Sequence, residues 1–159
     1  YEYSHGSYAL SSGATCVPLD QEMYNMYTGV GVSSAIAAPR KHKISFETNG
    51  NIQPLDLIKR ACAEITDRLD KIKLMLHTIV PIADYHKLVI NGEDDTTGNI
   101  IVSTVCELYP TINACNYKVD HVNKVLTISI RCPDPNDILT MSIMNAVETI
   151  EAILALIVE

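Results

Sequence analysis

Between Leu55 and Ile79 the apolar residues fall at Leu55, Ile58, Cys62, Ile65, Leu69, Ile72, Leu76 and Ile79, with spacings that alternate between three and four. This unbroken heptad seam predicts an amphipathic helix of roughly 36 Å at 1.5 Å per residue. A helix of that length exceeds what the chain needs for its own core, so another element is expected to cover the seam. Pro54 suits the first turn, because its missing N–H would be unpaired there, and Pro81 is the expected stop. Upstream, Ile44, Phe46 and Thr48 alternate with Lys43, Ser45 and Glu47 as in a half-buried strand. Asn49-Gly50-Asn51 closes that strand with residues that tolerate positive φ.

The second half begins with a strand over Lys87-Leu88-Val89-Ile90 and a turn at Asn91-Gly92. Glu93-Asp94-Asp95-Thr96 precede an apolar run from Ile100 to Leu108. The acids complement a helix N-terminus and Thr96 is the expected cap. Gly98-Asn99 in the first turn weakens the helix, which predicts a close backbone approach to a neighbour. Pro110 ends this helix. Asn113 to Val119 and Lys124 to Arg131 flank Asp120-His121-Val122-Asn123 and predict an antiparallel hairpin. In its second strand Val125, Thr127 and Ser129 take one face and Leu126, Ile128 and Ile130 the other. Pro133-Asp134-Pro135 opens a last helix to about Ile157, whose stripe is Ile138, Leu139, Ile143, Val147, Ile150, Leu154 and Ile157.

Residues 1–42 show no sustained period. Tyr8-Ala9-Leu10 and Ala14-Thr15-Cys16-Val17 are candidate short strands, the latter closed by Pro18, and Thr28 to Pro39 reads as loop or linker. Arg40-Lys41-His42-Lys43 is the densest basic cluster and reads as a solvated strand entry. An internal echo links the two halves. A shift of 81 positions lays Pro54-x-Asp56-Leu57-Ile58 on Pro135-x-Asp137-Ile138-Leu139, and Cys62, Leu69 and Ile72 then meet Ile143, Ile150 and Ile153. Each copy is a strand, a short turn with Pro and a long amphipathic helix. The repeat predicts a pseudo-twofold dimer built into one chain, each helix burying its stripe on the other copy.

Composition narrows the class. The 159 residues are 47% hydrophobic and 19% charged, enough for a real core. The net charge of −7 comes entirely from residues 81–159, which hold four bases against eleven acids, whereas residues 1–80 hold eight of each. Such a surface repels phosphate backbones, so direct nucleic-acid binding by this chain is disfavoured. Apolar runs are broken by charge or Pro before 18 residues, which predicts no membrane span. The chain opens on Tyr1 without a basic-then-apolar leader, pointing to a processed chain or a segment of a longer one. Five cysteines (Cys16, Cys62, Cys106, Cys115 and Cys132) contain no CxxC pair. Their odd number argues against a disulfide framework and for a reducing, intracellular compartment.

Candidate chemistry is sparse. A nucleophile would pair a cysteine with His5, His42, His77, His86 or His121, but no nucleophile elbow, phosphate loop or HExxH spacing supports it. Cys62 sits in the seam and Cys106 is assigned to the apolar side of its helix, positions suited to buried structural thiols. A Cys/His hydrolase would instead show a low-pKa thiol at Cys16 or Cys115. His121 reads as a solvated turn residue. Glu93-Asp94-Asp95 lacks the alternating spacing of a calcium loop and reads as a helix start. The sequence offers no catalytic, cofactor or metal site. Its informative features are packing surfaces.

Leu88-Val89-Ile90-Asn91-Gly92-Glu93-Asp94-Asp95-Thr96-Thr97-Gly98-Asn99-Ile100-Ile101 resembles the GEDHTLGNLL motif of the small alpha-like subunits of cellular RNA polymerases. These are the eleventh subunit of eukaryotic polymerase II and archaeal subunit L. Asn116 to His121 and Leu126 to Arg131 resemble the YxVxHP and LxIxIRT hairpin of the same family, so that residues 86–157 are covered almost end to end. Phe46-Glu47-Thr48-Asn49-Gly50-Asn51-Ile52-Gln53-Pro54, continuing to Ala61, is similar to the strand and dimerisation helix of the larger partner, the third subunit or archaeal D. His5-Gly6-Ser7-Tyr8-Ala9-Leu10 resembles that partner's HAxxSP loop. Asp95 stands where the family has His, and Thr97 where it has Leu. The larger partner's cysteine-rich insertion, which binds zinc or an iron–sulfur cluster in some members, has no counterpart here.

The resemblance implies an α+β fold of two alpha-like dimerisation modules, small antiparallel sheets with long amphipathic helices, arranged as an intramolecular pseudo-dimer. Residues 1–42 would be the loop-rich end of the larger-subunit-like part, 43–80 its strand and helix, and 81–159 the small-subunit-like module. Fusion in that order is known in some large cytoplasmic DNA viruses. The implied role is a non-catalytic assembly platform of a DNA-directed RNA polymerase, with the two large subunits and other polymerase subunits as partners. DNA and RNA would be met only through the complex, with no membrane and no cofactor in this chain. The setting would be cytoplasmic, in a viral factory or virion, or nuclear for a cellular protein. The expected interface is the seam from Leu55 to Ile79, the helix with Thr96, Gly98, Asn99, Ile100 and Ile101, and the last helix from Ile138 to Ile157. An unrelated α+β homo-oligomerisation or adaptor module is the alternative.

Overall fold

The computed structural model describes residues 11–18, 42–112 and 114–158. The chain falls into two units, Tyr1–Leu57 and Ile58–Glu159. In the first, β1 (Ser11–Pro18) pairs antiparallel with β2 (His42–Thr48), from Ser11 opposite Thr48 to Pro18 opposite His42. The register shifts once between Ser12 and Thr15, a bulge at Gly13. The alternation expected of β2 holds for Phe46 and Thr48, which are half-buried. It fails at Ile44, which is 70% exposed, since among the described residues no second layer covers that side of the two-stranded sheet. Gly50, at φ +83°, ends the strand as expected. The readings placed on Tyr8-Ala9-Leu10, Thr28 to Pro39 and Arg40-Lys41 lie outside the described residues.

Helix α1 spans Pro54–Met75, starting in the first unit and continuing into the second. Its first backbone bond runs from the Leu57 amide to the Gln53 carbonyl, so Pro54 stands at the first helical position, where it lacks nothing. The helix ends before Pro81, correcting the expected stop. It tightens into a 3₁₀ turn at Leu76–Thr78, where the Thr78 hydroxyl donates to the Met75 carbonyl (2.7 Å) and the Ile79 amide to the Leu76 carbonyl (3.2 Å). Pro81 instead sits in the edge strand β3 (Val80–Ile82), a place where a missing N–H is tolerated.

The second unit carries a four-stranded antiparallel sheet in the order β3-β4-β6-β5, with β4 at Tyr85–Asn91, β5 at Cys115–Asp120 and β6 at Val125–Ile130. Helix α2 (Asp95–Leu108) crosses from β4 to β5, and α3 (Pro135–Val158) follows β6. Opposite residues include Leu88 with Ile128, Ile90 with Leu126, and Tyr117 with Ile128. Leu126, Ile128 and Ile130 are buried while Val125, Thr127 and Ser129 are half-buried, the faces that the alternation predicts. The core gathers Leu88, Ile90 and those three β6 residues with Leu69, Ile72 and Leu76 of the first long helix and its turn, Ile101 and Val105 of α2, and Leu139, Ile143 and Ala146 of α3. The architecture is α+β, with three helices and two small antiparallel sheets among the described residues.

A further correction concerns a helix start. The side chain of Asp94, not Thr96, caps α2, accepting the Thr96 amide at 3.0 Å. Asp and Thr are both good caps, and the chain enters the helix two residues earlier than expected. In α3 the apolar run is broken by Glu148 and Glu151, as the sequence reading has it. Pro135–Ile157 is still long and apolar enough to cross a membrane by length and composition. Its N-terminal half nevertheless lies in the core, with Leu139, Ser142, Ile143 and Ala146 buried.

Candidate functional site

The predicted interface residues divide into those that meet and those that do not. Leu69, Ile72, Leu76, Ile101, Leu139 and Ile143 share the core of the second unit, and Ile65, Ile79, Ile100, Ile138, Val147 and Ile150 pack against it. The seam is thus covered at its C-terminal end by the four-stranded sheet of the second unit. Toward the start of α1 cover thins: Leu55, Ile58 and Cys62 are half-buried. The last helix mirrors this, with Leu154 half-buried and Ile157 exposed. Thr96 and Asn99 are exposed and stand outside the core.

Gly98 is buried where α2 lies against the sheet. A Cβ there would stand 2.6 Å from Tyr117 Cδ2, 2.9 Å from Tyr117 Cγ and 2.8 Å from Leu126 Cδ1. Only a residue without a side chain allows this approach, the reason the sequence tolerates a glycine in the first helical turn.

A polar knot fixes the start of α2 to α1. Arg68 donates from Nε (2.9 Å) and Nη2 (2.6 Å) to one oxygen, Oε2, of Glu93, and the Thr97 hydroxyl donates to the same oxygen at 2.8 Å. Arg68 Nη2 also lies 3.0 Å from Asp94 Oδ1. The side chains of Arg68 and Glu93 are 21% and 11% exposed, so the pair is largely withdrawn from water. The hydrogen bond to Glu93 raises the Arg68 pKa further above its ordinary value. Desolvation works to raise the Asp94 carboxyl, but the Arg68 bond and charge with the Thr96 and Thr97 amides outweigh it and leave the pKa lowered. Glu93 and Asp94 therefore do serve the helix start. Their partner Arg68, 25 residues before Glu93, carries no local sequence signal.

The candidate nucleophiles look different. Burial pushes the Cys115 thiol up to about 12, with Cys106 and Cys132 nearby adding to the effect. This is the reverse of the low-pKa thiol a hydrolase needs at that position. Burial also raises Cys132. Cys106 is exposed, correcting its assignment to the apolar side of α2, where Thr97, Gly98, Ile101 and Val105 face inward. His121 is exposed in its turn, with Nε2 3.6 Å from Asp95 Oδ2. Among the described residues, no group of three or more His, Cys, Asp and Glu side chains is placed to hold a metal ion.

No protein-family model matches the chain, and no curated protein does. The functional reading therefore stands on the geometry and on the motifs themselves.

Proposed function

We propose that this chain is a non-catalytic assembly platform of a multisubunit DNA-directed RNA polymerase, an intramolecular pseudo-dimer of alpha-like modules that holds the two large catalytic subunits. One observation carries the reading: the helix that follows the larger-partner-like strand seats Leu69 and Ile72 in the same core as the small-subunit-like sheet. Dimerisation through such helices is what the resemblance implies, and in a fused chain it becomes a folding contact. The segment from Gly92 to Ile101 supports the reading as well. It makes the passage from strand to helix, with the Gly92 amide bonded to the Lys124 carbonyl at 2.7 Å, Asp94 as cap and Gly98 against Tyr117. The acidic second half is consistent with nucleic acid being met only through the complex.

The alternative, an α+β homo-oligomerisation or adaptor module, is favoured by the apolar stripe left open on α3, where Ile153 and Leu156 are 48% and 76% exposed. Purification of the tagged protein from its native source, read by intact mass, separates the two. Two much larger chains that co-purify with template-dependent transcription support the platform. A clean homodimer without large partners removes the polymerase assignment and leaves the oligomerisation module.

A further inference from the structure

The middle of α1 and the distal half of α3 border an open groove of about 340 Å³, floored by Cys62 and Ala63 on one side and Ile150 and Leu154 on the other. The stripe of α3 runs from the core at Leu139, Ile143 and Ala146 on through Ile150, Ile153 and Ile157, with spacings of 4, 3, 4, 3 and 4. On α1, Ile58, Cys62 and Ile65 continue the heptad of Leu69 and Ile72. Of these residues Cys62 and Ile150 line the groove, and with Ala63 and Leu154 they form an apolar floor that fits the apolar stripe of one further helix.

The charge of the groove is one-sided. Asp67, Asp70 and Glu151 line it. Lys71 engages Asp67 at 2.5 Å, whereas among the described residues neither Asp70 nor Glu151 has an ion-pair partner. Helix α3, one of the groove's two walls, holds three acids (Asp137, Glu148 and Glu151) and no Lys, Arg or His. The last turn of α3 lacks a basic residue, so the negative end of its dipole is uncompensated by its own side chains.

We infer that this groove receives an amphipathic helix of another protein, apolar along one stripe and flanked by Lys and Arg. The inference does not rest on the polymerase reading: it names the chemistry of a partner segment whatever that partner's identity. The apolar stripe fills the floor between Cys62 and Leu154, and the basic flanks meet Asp70, Glu151 and the end of α3. An acidic or neutral helix of the same shape lacks the second contribution.

The test titrates the full chain against two fluorescein-labelled helical peptides of about 20 residues, long enough to span both walls. Both carry leucine at the seam positions; one has Lys and Arg at the flanks and the other Glu. Saturable anisotropy for the basic peptide is expected, weakened about tenfold between about 0.1 and 0.5 M salt and by Asp70→Lys with Glu151→Lys. Both substituted positions are exposed, and far-UV circular dichroism checks that the variant folds. Equal binding of the acidic peptide, or unchanged binding by the double variant, overturns the inference. So does self-association of the chain that Ile157→Ser abolishes while the basic peptide fails to bind, since a second copy then covers the face. Partition onto neutral phosphatidylcholine vesicles that the basic peptide does not compete away also overturns it, since the face is then a membrane surface.

Discussion

Replacing Gly98 by alanine opposes two effects of known sign. Alanine favours a helix over glycine by about 1 kcal/mol, so on an open surface Gly98→Ala would stabilise. Here the added Cβ stands 2.6–2.9 Å from atoms of Tyr117 and Leu126, whereas carbons rest at about 3.5–4.0 Å. The neighbours must therefore retreat by about 1 Å. Leu126 has no exposed surface to retreat toward. Tyr117 lies on the edge strand β5 and is half-buried, but the clash includes Cγ at the root of its ring, so the strand has to move with it. Overpacking of this kind costs about 1–3 kcal/mol, and with two constrained neighbours the upper half of that range applies.

Net of the propensity gain, Gly98→Ala should destabilise by about 1–2 kcal/mol. For a folding unit of this size, each kcal/mol lowers the melting temperature by about 4–8 °C. Urea unfolding followed by far-UV circular dichroism measures the loss directly, and a thermal melt checks it. Leu126→Val withdraws the atom 2.8 Å from the new methyl, so in that background Gly98→Ala should cost less than in the parent. A Gly98→Ala protein that melts at or above the parent would falsify the close-approach argument. Gly98 would then need another explanation.

The remaining predictions concern the polar groups. Arg68→Ala leaves Glu93 withdrawn from water without its cation, and should lower the unfolding free energy by about 1.5–3 kcal/mol in the same urea assay. Because the Asp94 pKa is lowered on folding, its contribution is complete above about pH 4 and is lost as the pH falls through the folded value. The parent should thus show an acid limb in its stability profile that is shallower in Arg68→Ala. The Cys115 thiol, raised to about 12, stabilises the fold fully below the ordinary thiol pKa near 9 and progressively less as the pH climbs toward 12. At pH 8 a maleimide should label exposed Cys106 and Cys16 quickly and Cys115, half-buried with its pKa raised, much more slowly. Labelling of Cys115 as fast as that of Cys106 would contradict its raised pKa.

Local periodicity made much of the second unit legible. The alternation of β6, the apolar seam of α1 and the two prolines that open the long helices are effects of neighbours in sequence, and each stands where the pattern puts it. Gly98 was legible for a different reason: a residue unfavourable for the local structure signals a tertiary demand. What the pattern missed are choices settled by contacts distant in sequence. Arg68 joins Glu93 only because α1 lies beside the start of α2. Asp94 takes the cap from Thr96 because the end of β4 and Gly92 fix where the chain enters the helix. Ile44 stays exposed because alternation says which residues share a face, not whether anything covers it.

The lengths of the elements bear on function more directly than any single side chain. Strands β4, β5 and β6 hold six or seven residues, about 20–24 Å at about 3.4 Å each. Helices α1 and α3 hold 22 and 24 residues, about 33 and 36 Å. Each long helix is therefore longer than the strands by about 9–16 Å, about one and a half to three turns, and burial follows that geometry: complete at Leu69 and Ile72, partial at Cys62 and Ile58, complete at Leu139 and Ile143, lost at Ile157. A chain selected only to close its own core gains nothing by continuing a heptad beyond the sheet, and exposing Ile153, Leu156 and Ile157 invites aggregation. The overshoot is explained if those turns are covered in an assembly. In the isolated chain Leu156→Gln with Ile157→Gln should then shift stability by no more than about 0.5 kcal/mol, as exposed positions do. A loss of several kcal/mol in the isolated chain would mean that these turns serve its own fold and that the overshoot is no argument for a partner.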